Sequence, residues 1–262
     1  MDMIGPERVY RHGYGGRVAV GLVTVVIIAI AVAVALDESP LNVVAMTIAI
    51  VAFALGAFGF VWLSKVQLLV NERGIRRDTM FGSVEMTWDE IVEYRYRILS
   101  NQAAMFHAGG VIGWLIVAMM QKKRKAALNF DLRLVGRGEA IAVTATYAKA
   151  QEIKNLLLGK LHARMLPAFR EKLVRLEPVE FGPVTLTGDS LRFKKISVPL
   201  SEITTIDLTG LALVIKKEGK LFAALTVASN KVPNVLALIE ILQEAIQRRA
   251  GRPLPPEAVK VY

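Results

Sequence analysis

The chain has no cysteine in 262 residues. That excludes a disulfide framework, thiolate zinc sites, cysteine-ligated iron–sulfur clusters and a cysteine nucleophile. Histidine is almost as scarce, with His12, His107 and His162 alone, and none has another at helical ligand spacing, so no metal site is expected. Charge is also thin: only 21% of residues are charged against 53% hydrophobic, with a mean hydropathy of +0.42. Such a composition is too apolar for an ordinary soluble chain and predicts that part of it lies in lipid.

Two uncharged runs carry that expectation, 18–36 and 41–63. Each is long enough to cross a hydrocarbon core of roughly 30 Å as a helix. Asp37, Glu38, Ser39 and Pro40 separate them as a turn, which predicts a transmembrane helical hairpin over 18–63. Lys and Arg flank both outer ends, with Arg8, Arg11 and Arg17 on one side and Lys65, Arg73, Arg76 and Arg77 on the other. Basic residues resist translocation, so both termini are expected in the cytoplasm, the protein being multi-pass in the plasma (inner) membrane. Segment 1–17 becomes a basic cytoplasmic lead, and Trp62 takes a membrane-interface position.

The net charge of +10 resides beyond the hairpin. There the chain repeats itself. Residues 68–77 (LLVNERGIRR) parallel 184–193 (VTLTGDSLRF), 84–94 (VEMTWDEIVEY) parallel 196–206 (ISVPLSEITTI), and 132–143 parallel 214–225. Trp88 then falls opposite Leu200, Glu90 opposite Glu202 and Ile91 opposite Ile203. Each copy closes on a helical pattern. Val235, Leu238, Ile239, Leu242 and Ile246 form one apolar face in the second copy, and Ile153, Leu156, Leu157 and Leu161 do so in the first. Pro167 is expected to end the first helix.

These residues resemble a known pattern. The strand pair around Asn71-Glu72-Arg73-Gly74-Ile75, the Trp88-Asp89-Glu90-Ile91 segment and the closing helix are similar to pleckstrin-homology-like (PH-like) domains. Phe181-Gly182, Ser201-Glu202-Ile203 and Val232-Pro233-Asn234 resemble an uncharacterised membrane-anchored family with tandem domains of this kind. Leu200 departs from that pattern, which has Trp there. The resemblance implies an α+β fold in which a two-helix transmembrane hairpin precedes two PH-like domains, each a curved antiparallel sheet with a C-terminal helix. The expected boundaries are 66–166 and 174–249, with a flexible tail over 250–262. It implies binding of lipid headgroups, peptides or further copies, and no enzymatic activity or cofactor.

The copies differ most where the first carries an insertion, 103–120 (AAMFHAGGVIGWLIVAMM), followed by the basic run 122–125. Three readings stand beside one another: a segment dipping into the inner leaflet, a self-association surface, or an extra buried hairpin. For the first, Lys122, Lys123, Arg124, Lys125 and Trp114 are the lipid-binding candidates, because a basic run beside an apolar segment attracts anionic lipid. For the second, the candidates are Phe106, Val111, Ile112, Leu115 and Ile116. Residues 121–175 hold thirteen basic and four acidic side chains.

Asp89 and Glu90 are read as strand neighbours pointing to opposite faces, which excludes a paired acid and base. His162 is read as a surface residue on a basic helix. No nucleic-acid motif is present, and no aromatics interleave with the basic run as a stacking platform requires. The expected function is therefore a non-catalytic, membrane-anchored binding or scaffold protein engaging anionic lipid and a protein partner. The alternative is a homo-oligomeric scaffold.

Overall fold

The computed structural model describes residues 7–35, 42–99, 129–209, 211–220, 222–251 and 253–261. Contacts divide the chain into two compact units, one of Met1–Thr87, Ala103–Ala127 and Thr146–Ala150, the other of Trp88–Gln102, Leu128–Ala145 and Gln151–Tyr262.

The first unit holds a four-stranded antiparallel sheet: β1 (Arg8–Arg11), β2 (Gln67–Val70), β3 (Gly74–Thr79) and β4 (Gly82–Thr87), paired in that order. Tyr10, Leu68, Val70, Ile75 and Met86 are its buried side chains. The β2–β3 turn forms because Asn71 Oδ1 accepts from the backbone N–H of Arg73 and Gly74, both at 2.9 Å. This is an Asx turn, in which a side chain imitates a backbone acceptor. Segment 1–17, expected as a basic lead, thus contributes a strand: Tyr10 is buried while its neighbours point outward.

Helices α1 (Tyr14–Ala35) and α2 (Asn42–Lys65) connect β1 to β2 and pack on each other, so closely that a Cβ at Gly56 would overlap Thr24. The expectation of a transmembrane hairpin over 18–63 is corrected here. Among the described residues no helix is long and apolar enough to cross a membrane. The same finding overturns the multi-pass placement in the plasma membrane with both termini cytoplasmic.

In the second unit, β5 (Glu93–Leu99), β6 (Asn129–Val135) and β7 (Ala140–Thr144) form an antiparallel sheet, followed by α3 (Ala150–Val174). Strict alternation buries Tyr94, Tyr96 and Ile98 on one face of β5, as a half-buried strand requires. Helix α3 runs through Pro167 instead of ending there. Pro167 is exposed, and Met165 and Leu166 just before it are buried, so packing holds the helix across one missing N–H.

Four strands follow as an antiparallel sheet: β8 (Val179–Phe181), β9 (Val184–Leu186), β10 (Ser190–Phe193) and β11 (Ile196–Pro199). After a 3-10 turn at Leu200–Glu202 come β12 (Ile203–Thr209), β13 (Ala212–Lys217), β14 (Leu225–Ala228) and helix α4 (Val235–Ala250). At Gly182, φ is +62°, and an added Cβ would lie 2.8 Å from Pro233 Cδ and 2.9 Å from the Lys231 carbonyl oxygen. Glycine is therefore needed where the β8–β9 turn meets the segment opening α4.

Segment 250–262, expected as a flexible tail, supplies β15 (Val259–Val261), which pairs parallel with β12. Its backbone donors and acceptors answer those of an otherwise open sheet edge. The fold-class expectation is corrected accordingly: the described residues form four sheets of fifteen strands with four α-helices, in place of a fold led by a two-helix transmembrane hairpin.

Candidate functional site

The best-built polar cluster lies in the second unit, where β5, α3 and α4 meet. Tyr94 is fully buried, and two kinds of group on it face α4. Its backbone N–H donates to Asn234 Oδ1 at 2.9 Å, and its carbonyl accepts from the Asn234 N–H at 2.8 Å. Its hydroxyl oxygen accepts from the backbone N–H of Ala237, in the first turn of α4, at 2.9 Å. Asn234 is the N-cap residue of α4, in the left-handed region at φ 53°, yet its side chain makes no cap bond. Tyr94 takes that role, satisfying an N–H that the helix leaves unpaired. The exchange is reciprocal: the cap residue serves the strand, and the strand residue caps the helix.

The chain continues outward. Tyr94 Oη lies 2.7 Å from His162 Nε2, and His162 Nδ1 lies 3.0 Å from Glu240 Oε2. Because Ala237 donates to the hydroxyl oxygen, the hydroxyl hydrogen is left for Nε2. In a neutral ring the proton then sits on Nδ1 and points at Glu240. Arg170 approaches Glu240 at 3.6 Å and grips Glu244 through both Nε and Nη2, at 3.0 and 2.6 Å. That hydrogen bond draws the Glu244 carboxyl below its ordinary range and raises the Arg170 guanidinium. Burial drives the Tyr94 hydroxyl far above the usual tyrosine range, so it works here as a neutral donor and acceptor.

A second anchor fastens the start of β5 to α3. The Arg164 guanidinium donates to the carbonyls of Trp88 and Ile91 and lies 3.5 Å from Asp89. Lys160 Nζ stands 6.0 Å from the Trp88 ring centroid. Trp88, Asp89 and Glu90 form a turn, which corrects their reading as strand residues. Lower on the same helix, Lys154 Nζ lies 5.8 and 5.6 Å from the Tyr96 and Phe130 ring centroids, and burial lowers its pKa.

A cavity of about 220 Å³ opens beside the end of α4, lined by Leu173, Leu176, Gly188, Ala245 and the charged Asp189, Arg248 and Arg249. Arg249 pairs with Asp189, and Arg248 lies 3.6 Å from Glu244.

Trp62 sits near the end of α2, 38% exposed. Lys122, Lys123, Arg124, Lys125, Trp114, Phe106, Val111, Ile112, Leu115 and Ile116 lie outside the described residues, as does His107. His162, read as a surface residue, is instead a link between buried Tyr94 and the more exposed Glu240, with its own side chain 17% exposed. Two signals pointed there: Tyr94 matches the aliphatic Ile206 in the repeat, and Glu240 interrupts the apolar run LALIEIL. Among the described residues, no group of three or more His, Asp or Glu is placed to hold a metal ion.

These features define a sheet-rich chain with a duplicated strand–strand–helix order, whose strongest polar cluster ties one copy's strand to the other copy's helix. The chain belongs to the family of unknown function DUF6585, which matches residues 5–250. No curated protein matches it.

Proposed function

We propose that the chain is a non-catalytic binding and scaffold module with an anionic lipid surface as one partner and a protein as the other. The observation carrying this reading is the charge of 121–175, thirteen basic against four acidic residues. Each Lys or Arg held near an anionic surface contributes about 1 kcal/mol, so the four consecutive cations at 122–125 supply a useful attraction that salt screens. The test is co-flotation of the full chain with neutral and with anionic vesicles across a salt series. The unaltered chain should float better with anionic vesicles, and that advantage should shrink as salt rises. Replacing Lys122, Lys123, Arg124 and Lys125 together with Gln should reduce the advantage and flatten its salt dependence. Equal flotation on both vesicle types by the unaltered chain defeats the reading.

Self-association is the second reading, favoured by exposed apolar side chains along α2. Val43 is 75% exposed, Leu55 66%, and Ile50 and Phe53 62% each. Exposed apolar surface of this kind is normally covered by protein or lipid. Mass measurement of the chain in mild detergent over a wide concentration range decides it: a monomer throughout removes this reading.

A further inference from the structure

Strand β15 is the only strand among those described that pairs parallel, and it lies at the outer edge of its sheet. It is short, with Val259 half-buried and Lys260 and Val261 exposed; only Ala258, just before it, is buried. Gly251 ends α4 at φ +66°, and Pro253, Pro255 and Pro256 lie in the connection to the strand. Proline stiffens and extends such a connection, which disfavours collapse of the segment onto its own helix. The edge beneath it is imperfectly answered. Asp207 stands opposite Lys260 in the register, yet its buried Oδ1 has no hydrogen-bond partner.

We propose that the outer edge of β12 is a strand-docking edge, and that segment 253–261 leaves it to occupy the same edge of a second copy, giving a reciprocal strand-exchanged dimer. The occupant follows from the register. Ile206, Asp207 and Leu208 face Val259, Lys260 and Val261, so the identical segment of another copy fits with every backbone bond retained. Exchange of identical elements leaves the contacts unchanged and adds mainly the entropy of association. Loss of so few buried side chains lets the strand detach at small cost. The matching strand β5 offers no such site at Tyr94, because Asn234 fills both backbone groups there.

The absence of cysteine makes the test clean. Full-length Asp207→Cys and Lys260→Cys chains are incubated together, then joined with a short bis-maleimide and sized under denaturing conditions. Exchange yields a covalent dimer in the mixture that neither variant gives alone. While monomer dominates, its fraction rises roughly tenfold for a tenfold increase in concentration, by mass action. Adding Val259→Pro to the Lys260→Cys chain removes the N–H that bonds the Pro256 carbonyl and forces a φ of about −65° on a residue held at −115°, which unseats the strand and should abolish the product. The Asp207→Cys/Lys260→Cys double variant closes within one chain at high dilution. A mixture that stays monomeric at every concentration overturns the proposal, whether or not the double variant closes.

Discussion

Strands β5 and β12 hold matching places in the element order, each followed by two further strands and a long helix. In β12 the buried positions are Ile203, Ile206 and Leu208, and α4 buries Val235, Ala237, Leu238, Ile239, Ile241, Leu242 and Ile246. These buried side chains are aliphatic throughout. In β5 the residue matching Ile206 is Tyr94, and α3 buries a narrower set, Ile153, Leu157, Leu161, Met165 and Leu166. The missing apolar width is replaced by directional bonds: the tyrosine hydroxyl, His162, and the fork of Arg170 on Glu244. Apolar burial tolerates small shifts, whereas a hydrogen-bonded chain with a buried end accepts one alignment. The polar half therefore fixes how β5, α3 and α4 are aligned within the second unit.

Tyr94→Phe strikes this difference hardest. It leaves the Ala237 N–H and His162 Nε2 unanswered while keeping the ring, and each buried unsatisfied group costs about 1–3 kcal/mol. The comparable truncation in the apolar half, Ile206→Val, costs about 0.5–1.5 kcal/mol. Denaturant unfolding of both variants checks the order, and a Tyr94→Phe loss no greater than that of Ile206→Val would erase the contrast. Next comes Asn234→Ala, which removes the acceptor for the Tyr94 N–H and should cost about 1–2 kcal/mol. Because both residues belong to one network, the double variant should lose less than the sum of the two.

The Arg170–Glu244 pair is smaller in effect, about 0.5–1 kcal/mol for a partly exposed pair. The folded pKa of Glu244 is depressed below 4.5, so its contribution is present above that pH and is lost as pH falls through the lowered value. Glu244→Gln should accordingly differ from the unaltered chain in thermal melts at neutral pH and converge with it at strongly acid pH. The smallest effect is that of Lys154→Met. Burial lowers the Lys154 pKa from 10.5, so the folded state holds that proton less firmly than the unfolded chain. The substitution should be neutral to slightly stabilising at pH 7, within about 0.5 kcal/mol. The unaltered chain should gain on it as pH climbs toward 10.5.

The apolar half was the readable one. Val235, Leu238, Ile239, Leu242 and Ile246 stand at helical spacing, and all five are buried; Asn71 and Gly74 announce their turn. Periodicity reports burial within one element and says little about partners far along the chain. Tyr94, His162 and Glu240 are separated by 68 and 78 positions, so no local pattern joins them. Strand β1 buries one side chain of four and pairs with β2 across two helices, which gives it almost no signature. Uncharged runs at 18–36 and 41–63 were read as spans because apolar content records hydrophobicity without specifying what covers it. Pro167 was read as a stop, although a helix packed on both sides of an exposed proline can continue past it.

The reciprocal cap between Tyr94 and Asn234 also sets a clock. The strand's amide cannot meet its acceptor until residue 234 exists, and the helix's first turn lacks its acceptor unless Tyr94 is already there. At roughly 5–20 residues added per second, the 140 positions between them take about 7–28 s to make. During that interval β5 can pair with β6, and β6 with β7, but the Tyr94 side chain remains without the helix it caps. Closing so long a loop is slow as well as late. The second unit therefore completes its alignment only after both copies have been synthesised, and the interval before that is when this sheet edge is most open to misassociation.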